Sequence, residues 1–115
     1  MNVDELQKYI FPLLIVIFFV WRFWRFKKVK KLIPGYIDRG AVLIDVRSVA
    51  EFNSGSHPLT INMPLTDLHR RLKELDKNKP IVVCCASGAR SEAALRILKQ
   101  NGFAEVINAG PWTNI

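Results

Sequence analysis

Two adjacent thiols, four small residues, an arginine and a serine stand together in CCASGARS, Cys84 to Ser91. The run before the loop, IVVCC, is apolar, so Cys85 ends a buried strand and opens a turn. Ala86, Ser87, Gly88 and Ala89 are small enough for the backbone to curl round a single atom, and Gly88 can adopt a positive φ. A helical pattern starts near Ser91, so the turn also feeds a helix N-terminus. Amide N–H groups converge in such a loop, and the helix end adds partial positive charge. A thiol held there loses its proton readily, because the same donors stabilise the thiolate. Arg90 brings a fixed charge and a fork of donors. These residues specify a nucleophile, Cys85, ionised at the mouth of an anion-binding loop built from Ala86, Ser87, Gly88, Ala89 and Ser91 and closed by Arg90. Cys84, one step back and facing the other way on a strand, reads as a small buried apolar residue.

The elements that must position this loop alternate between strand and helix patterns. Ala41 to Val46 is a buried strand ending beside the polar pair Asp45 and Arg47. Ser48 can cap a short helix through about Phe52. NSGSHPLT has loop composition, and Ile61 to Met63 is a brief strand. Leu65, Leu68, Leu72 and Leu75 recur at helical spacing and predict an amphipathic helix over 65–76, broken by Asn78 and Pro80. Ile81 to Cys85 is a second buried strand. Ser91 to Gln100 is a helix stopped at Asn101-Gly102, and Ala104 to Asn108 is a last strand before the turn AGPW. Strands separated by helices imply an α/β fold with a parallel sheet and right-handed crossovers. Such sheets bind ligands beyond the carboxyl ends of their strands, and Cys85 sits at one. There are no internal repeats and no low-complexity linker.

The chain divides unevenly. Residues 1–31 carry seven Lys or Arg against two acids, and residues 32–115 carry ten against eight, which leaves the folded part close to neutral despite a net charge of +7. No basic face interleaved with aromatics appears there, so nucleic acid is not an expected partner. Tyr9 to Trp21 is apolar but shorter than the ~20 residues of an ordinary spanning helix. Continued to Phe26 it reaches roughly 27 Å, with Arg22 and Arg25 extending to headgroups and Trp21 and Trp24 suited to the interface. A secretory signal would have its basic cluster before the apolar run, not after it. A core helix would need a domain large enough to hide these aromatics. The favoured expectation is a single membrane anchor over 1–31, with Pro12 near its start, followed by one domain over 32–115. Six Lys or Arg between Arg22 and Lys31 keep that end cytoplasmic by the positive-inside tendency and can rest on anionic lipid. Two neighbouring cysteines do not staple a fold, and reduced thiols agree with a cytoplasmic domain. No metal or organic cofactor is implied, since no ligand cluster has metal spacing.

LIDVRSVAEF, INMPL, IVVCCASGARS and AEVINAGPW together resemble a single rhodanese-type domain across nearly all of residues 32–115. The D-V-R-x-x-x-E-F block, the N-x-P element and a C-x-x-x-x-R-S loop after a buried strand carry the resemblance. It implies a sulfurtransferase in which Cys85 bears a persulfide, taking sulfur from a small sulfur-containing anion or a protein persulfide and passing it to a thiol or cyanide. It also implies that Asp45, Arg47 and Glu51 are polar support for the loop. Either arginine, Arg47 or Arg90, could pair with either acid. The related cysteine phosphatases use C-x5-R, a wider cradle, whereas Cys85 to Arg90 is C-x4-R. Three departures stand out: GSHPLT where the pattern has G-H-I-P-G-A, a single glycine in AGPW, and few residues after Trp112 to form a terminal helix. His57 and His69 read as solvent-facing. The loop has no second basic residue, which disfavours a doubly charged donor such as thiosulfate. Two other readings stay open: a catalytically silent, membrane-tethered binding module, and a small phosphatase or arsenate reductase.

Overall fold

The computed structural model describes residues 2–115. Helix α1 runs Val3–Lys30, its start fixed by Asn2, whose side chain accepts from the Glu5 N–H. Acids in its first turn and lysines in its last complement the helix dipole. Pro12 therefore lies inside the helix, more than two turns from its beginning, and not near the start as expected. A short helix, α2 (Ile33–Asp38), follows at once; the sequence reading had no element there. Pro34 in its first turn explains it, because a fixed φ and a missing N–H cost nothing at that position.

Four parallel strands come next: β1 (Val42–Asp45), β2 (Thr60–Asn62), β3 (Ile81–Cys85) and β4 (Val106–Pro111), in the order β2-β1-β3-β4. Helix α3 (Val49–Ser54) joins β1 to β2, and Ser48 caps it in a reciprocal capping box with Glu51. Helix α5 (Ala89–Gln100) joins β3 to β4. The helix expected over 65–76 is broken into a 3-10 turn, a single α turn that we call α4 (Leu68–Arg71), and a second 3-10 turn. Apolar spacings of three and four fit both helix types, so the leucines still face the core. Arg71 takes φ −110° at the break and donates to the Asn62 carbonyl and to Glu74. The last strand is longer than expected. Ala109 and Gly110 belong to β4 rather than to a turn, and a register shift between Val83 and Cys84 sets Gly110 opposite Cys84.

The sheet separates two apolar layers. On one face, Ile44, Val46, Ile81, Val83 and Cys85 pack with Ala94, Leu98, Met63 and Leu68. On the other, Leu43, Val82, Cys84 and Ala109 pack with Ile33 of α2, Val29 of α1 and Trp112. Helices thus cover both faces, as the α/β expectation required. Beyond the sheet, Tyr9 to Trp24 is almost wholly solvent-exposed, with Phe11 70% and Trp24 60% exposed. The core-helix reading is therefore not met. Among the described residues, one helix is long and apolar enough to cross a membrane.

Candidate active site

β3 delivers the two cysteines to opposite faces, because side chains alternate along a strand. Cys85 is the last residue of the strand, and the backbone then turns back over it. Gly88, at φ +101°, closes the turn as the N-cap of α5. The Gly88 N–H lies 2.9 Å from Cys85 Sγ, and the positive φ lets the chain leave that peptide directly into α5. Ser91 Oγ lies 3.4 Å from the same sulfur and 2.6 Å from Asn108 Oδ1. A hydroxyl has one proton for these two acceptors. With Cys85 as a thiolate, that proton serves the sulfur; with Cys85 protonated, the S–H can donate to Ser91, whose proton turns to Asn108.

Burial opposes ionisation of Cys85. It is outweighed by the hydrogen bonds of the Ser91 hydroxyl and of the Ser91, Gly88 and Ser87 amides, so the thiol is held below its ordinary range. Cys84 goes the other way. Burial first, then the nearby Asp45 carboxylate, drives its proton affinity far up, and no amide cradle offsets them.

Both cysteines are fully buried. This corrects the expectation that Cys85 sits open at the mouth of its loop. The next two residues, Ala86 and Ser87, are exposed, so the sulfur lies beneath the outer surface of the loop. A cleft of about 350 Å³ opens at Arg90, lined also by Val46, Ser48, Pro64, Leu65 and Asp67.

The structure resolves the arginine pairing. Arg90 makes a forked pair with Glu51, at 2.6 and 2.9 Å. Glu51 falls to about 2, chiefly through that hydrogen-bonded guanidinium and then through the Ser48 amide. Arg47 pairs with Asp45, with Nη2 2.7 Å from Oδ2 and Nε 3.0 Å from both carboxylate oxygens. This pair is buried, which is tolerable only because its remaining donors are used. Arg47 Nη2 also donates to the Gly55 carbonyl at 2.7 Å, and its guanidinium lies 4.8 Å from the Trp112 ring centroid. Asn62, of the N-x-P element, donates to the carbonyls of Asp45 and Arg47 at 3.0 Å each. Arg47 thus props the wall of the site, and Arg90 belongs to the loop. His57 is half-buried rather than fully solvent-facing, and its Nδ1 accepts from the Leu59 N–H.

Several site residues had not been singled out. Asn108, buried in the middle of β4, donates to the Gly88 carbonyl and to Glu92, and accepts from Ser91 and the Gly110 N–H. It ties the loop, the first turn of α5 and β4 together. A polar residue inside the apolar run AEVIN was the available signal. Gly110 and Phe26 form a second such group. A Cβ on Gly110 would lie 2.7 Å from the Phe26 ring, and one on Gly88 would lie 2.6 Å from it.

Sequence comparison agrees with this geometry. A sulfurtransferase of Allochromatium vinosum is 36% identical over 67 residues, covering 58% of this chain and 63% of its own length. The thiosulfate sulfurtransferase GlpE of Pseudomonas syringae pv. syringae is 35% identical over 69 residues, covering 60% and 65%. The chain therefore spans less than two thirds of the length of either relative. Among solved structures, a rhodanese-related protein from Thermoplasma volcanium superposes with a TM-score of 0.63 at 33% identity, over 71% of this chain and 81% of its own. The sequence profile of the rhodanese-like domain matches residues 28–109. With its parallel sheet, its C-x4-R loop on the end of β3 and this match over most of its length, the chain belongs to the rhodanese-like domain family.

Proposed function

We propose that this protein is a membrane-anchored sulfurtransferase that carries sulfane sulfur on Cys85. The observation that bears most weight is the Gly88 N–H at 2.9 Å from Cys85 Sγ, in a loop that lowers the thiol's proton affinity against the effect of burial. In the first half-reaction the Cys85 thiolate attacks the outer sulfur of a donor. A Cys85 S–S bond forms, the donor's S–S bond breaks, and its electron pair leaves on a thiolate or, from thiosulfate, on sulfite. In the second, an acceptor thiolate or cyanide attacks the outer sulfur, and Cys85 departs as the thiolate it was. Each step gathers negative charge where the loop amides point. The added sulfur lies about 2 Å beyond Sγ.

The exposed apolar length of α1 and the lysines and arginines at its end support a single membrane span with the domain on the cytoplasmic side. Incubating the full chain with thiosulfate or polysulfide tests the chemistry, with intact mass as the readout. A gain of one sulfur, removable by reductant and absent in C85S, is expected. No gain from either donor overturns the reading. The burial of Cys85 favours one rival, a silent tethered module, in which C85S leaves the cellular role unchanged.

A further inference from the structure

Nothing within residues 85–91 explains what holds the Ser87–Gly88 peptide in place from the outside. The answer lies on α1. Arg22, Arg25, Phe26 and Val29 fall on one helical face, and all four are shielded where their neighbours are exposed. Arg25 pairs with Glu92 at 2.8 Å, the Phe26 carbonyl accepts from Asn114 at 2.9 Å, and the Phe26 ring fills the space above Gly88 and Gly110. Arg22 Nη2 donates to the Ser87 carbonyl.

We propose that Arg22 is a positioning residue of the sulfur loop: its guanidinium holds and polarises the peptide whose N–H grips Cys85 Sγ. The Ser87 C=O and the Gly88 N–H belong to one planar, resonance-coupled unit. A cation on its oxygen draws electron density from its nitrogen and makes the N–H a stronger donor. That N–H is the one 2.9 Å from the sulfur. The charges around the loop single Arg22 out. Arg25 is paired with Glu92, Arg47 with Asp45 and Arg90 with Glu51, whereas Arg22 forms no ion pair among the described residues. Its guanidinium lies over the Phe26 ring, 5.5 Å from the centroid, and its hydrogen bond goes to the loop. The anchor helix thus completes the site, and the basic group missing from the loop sequence arrives from a segment more than sixty residues away.

This inference rests on Cys85 being the sulfur-accepting nucleophile. The test uses the full chain in lipid nanodiscs, with C84A so that one thiol is read, and measures the rate of iodoacetamide alkylation against pH. R22Q is expected to raise the midpoint by about half a pH unit, which leaves about two- to threefold less thiolate at neutral pH. Thermal melting is expected to be unchanged, and R22K is expected to restore most of the rate. F26A, which loosens α1 from the loop with Arg22 intact, is expected to shift the midpoint the same way and serves if R22Q does not fold. A profile unmoved by R22Q and F26A overturns the inference, as does an R22K profile no better than R22Q. A parent midpoint in the ordinary thiol range overturns the sulfur-carrier reading itself.

Discussion

Cys84 and Cys85 are joined by one peptide bond, are buried equally and have opposite chemistry. Cys84 faces the layer formed by α2, Val29 and Trp112, where no amide points at it, and burial drives its proton affinity up. Cys85 faces the α5 layer and sits under a loop that turns three amides and a hydroxyl onto its sulfur. Burial is therefore not what separates a thiol whose proton affinity rises from one whose proton affinity falls. The direction of the surrounding dipoles decides, and the pleat of β3 hands each thiol a different set.

The largest expected effect follows from that contrast. C85S should abolish sulfur loading, whereas C84A should leave it within about twofold, since a small buried apolar residue replaces another. Intact mass after polysulfide treatment measures both. Next comes R90A. Removing this cation, whose fork is held on Glu51 rather than on the sulfur, should cost about tenfold in turnover, less than the loss of a direct transition-state donor, measured by sulfur transfer to cyanide. G88A should follow. At φ +101° and with Phe26 in the way, an added methyl is expected to cost about 2–4 kcal/mol of stability, read from denaturant unfolding in detergent.

The smallest effect concerns acid. The folded-state value of Glu51, about 2, lies below its ordinary 4.5. The pair with Arg90 therefore contributes fully above about 4.5, and its contribution is lost as the pH falls toward 2. A difference in melting temperature between the parent and E51Q should persist through mild acid and close only over that window.

Much of this was legible from local pattern. The apolar run Ile81–Cys85 matches β3 to its last residue, Ser48 has the side chain of a cap and is one, and the spacing of Cys85, Gly88 and Arg90 alone makes a loop. Local pattern failed where two conformations satisfy the same spacing, as in the broken helix over 65–74. It failed again at Gly110, whose strand pairing is set by an extra residue, Ala109, in β4 opposite the Val83–Cys84 step of β3. Sequence leaves the pairing of Asp45 with Arg47 and Glu51 with Arg90 open, because Arg47 is local to both acids while Arg90 meets Glu51 only across 39 residues of chain. Asn108, Phe26 and Arg22 reach the loop across long stretches of chain, and no window of sequence contains both ends of such a contact. The burial of Cys85 was also beyond reach, since spacing predicts a turn but not how tightly it folds over its first residue.

The central claim, a thiolate held by main-chain donors beneath a closed loop, is tested most directly by ultraviolet titration of thiolate absorbance in full-length C84A protein. A midpoint below the ordinary cysteine value of about 8.5 is expected, rising in the additional variant S91A. A midpoint at or above that value, unmoved by S91A, contradicts it.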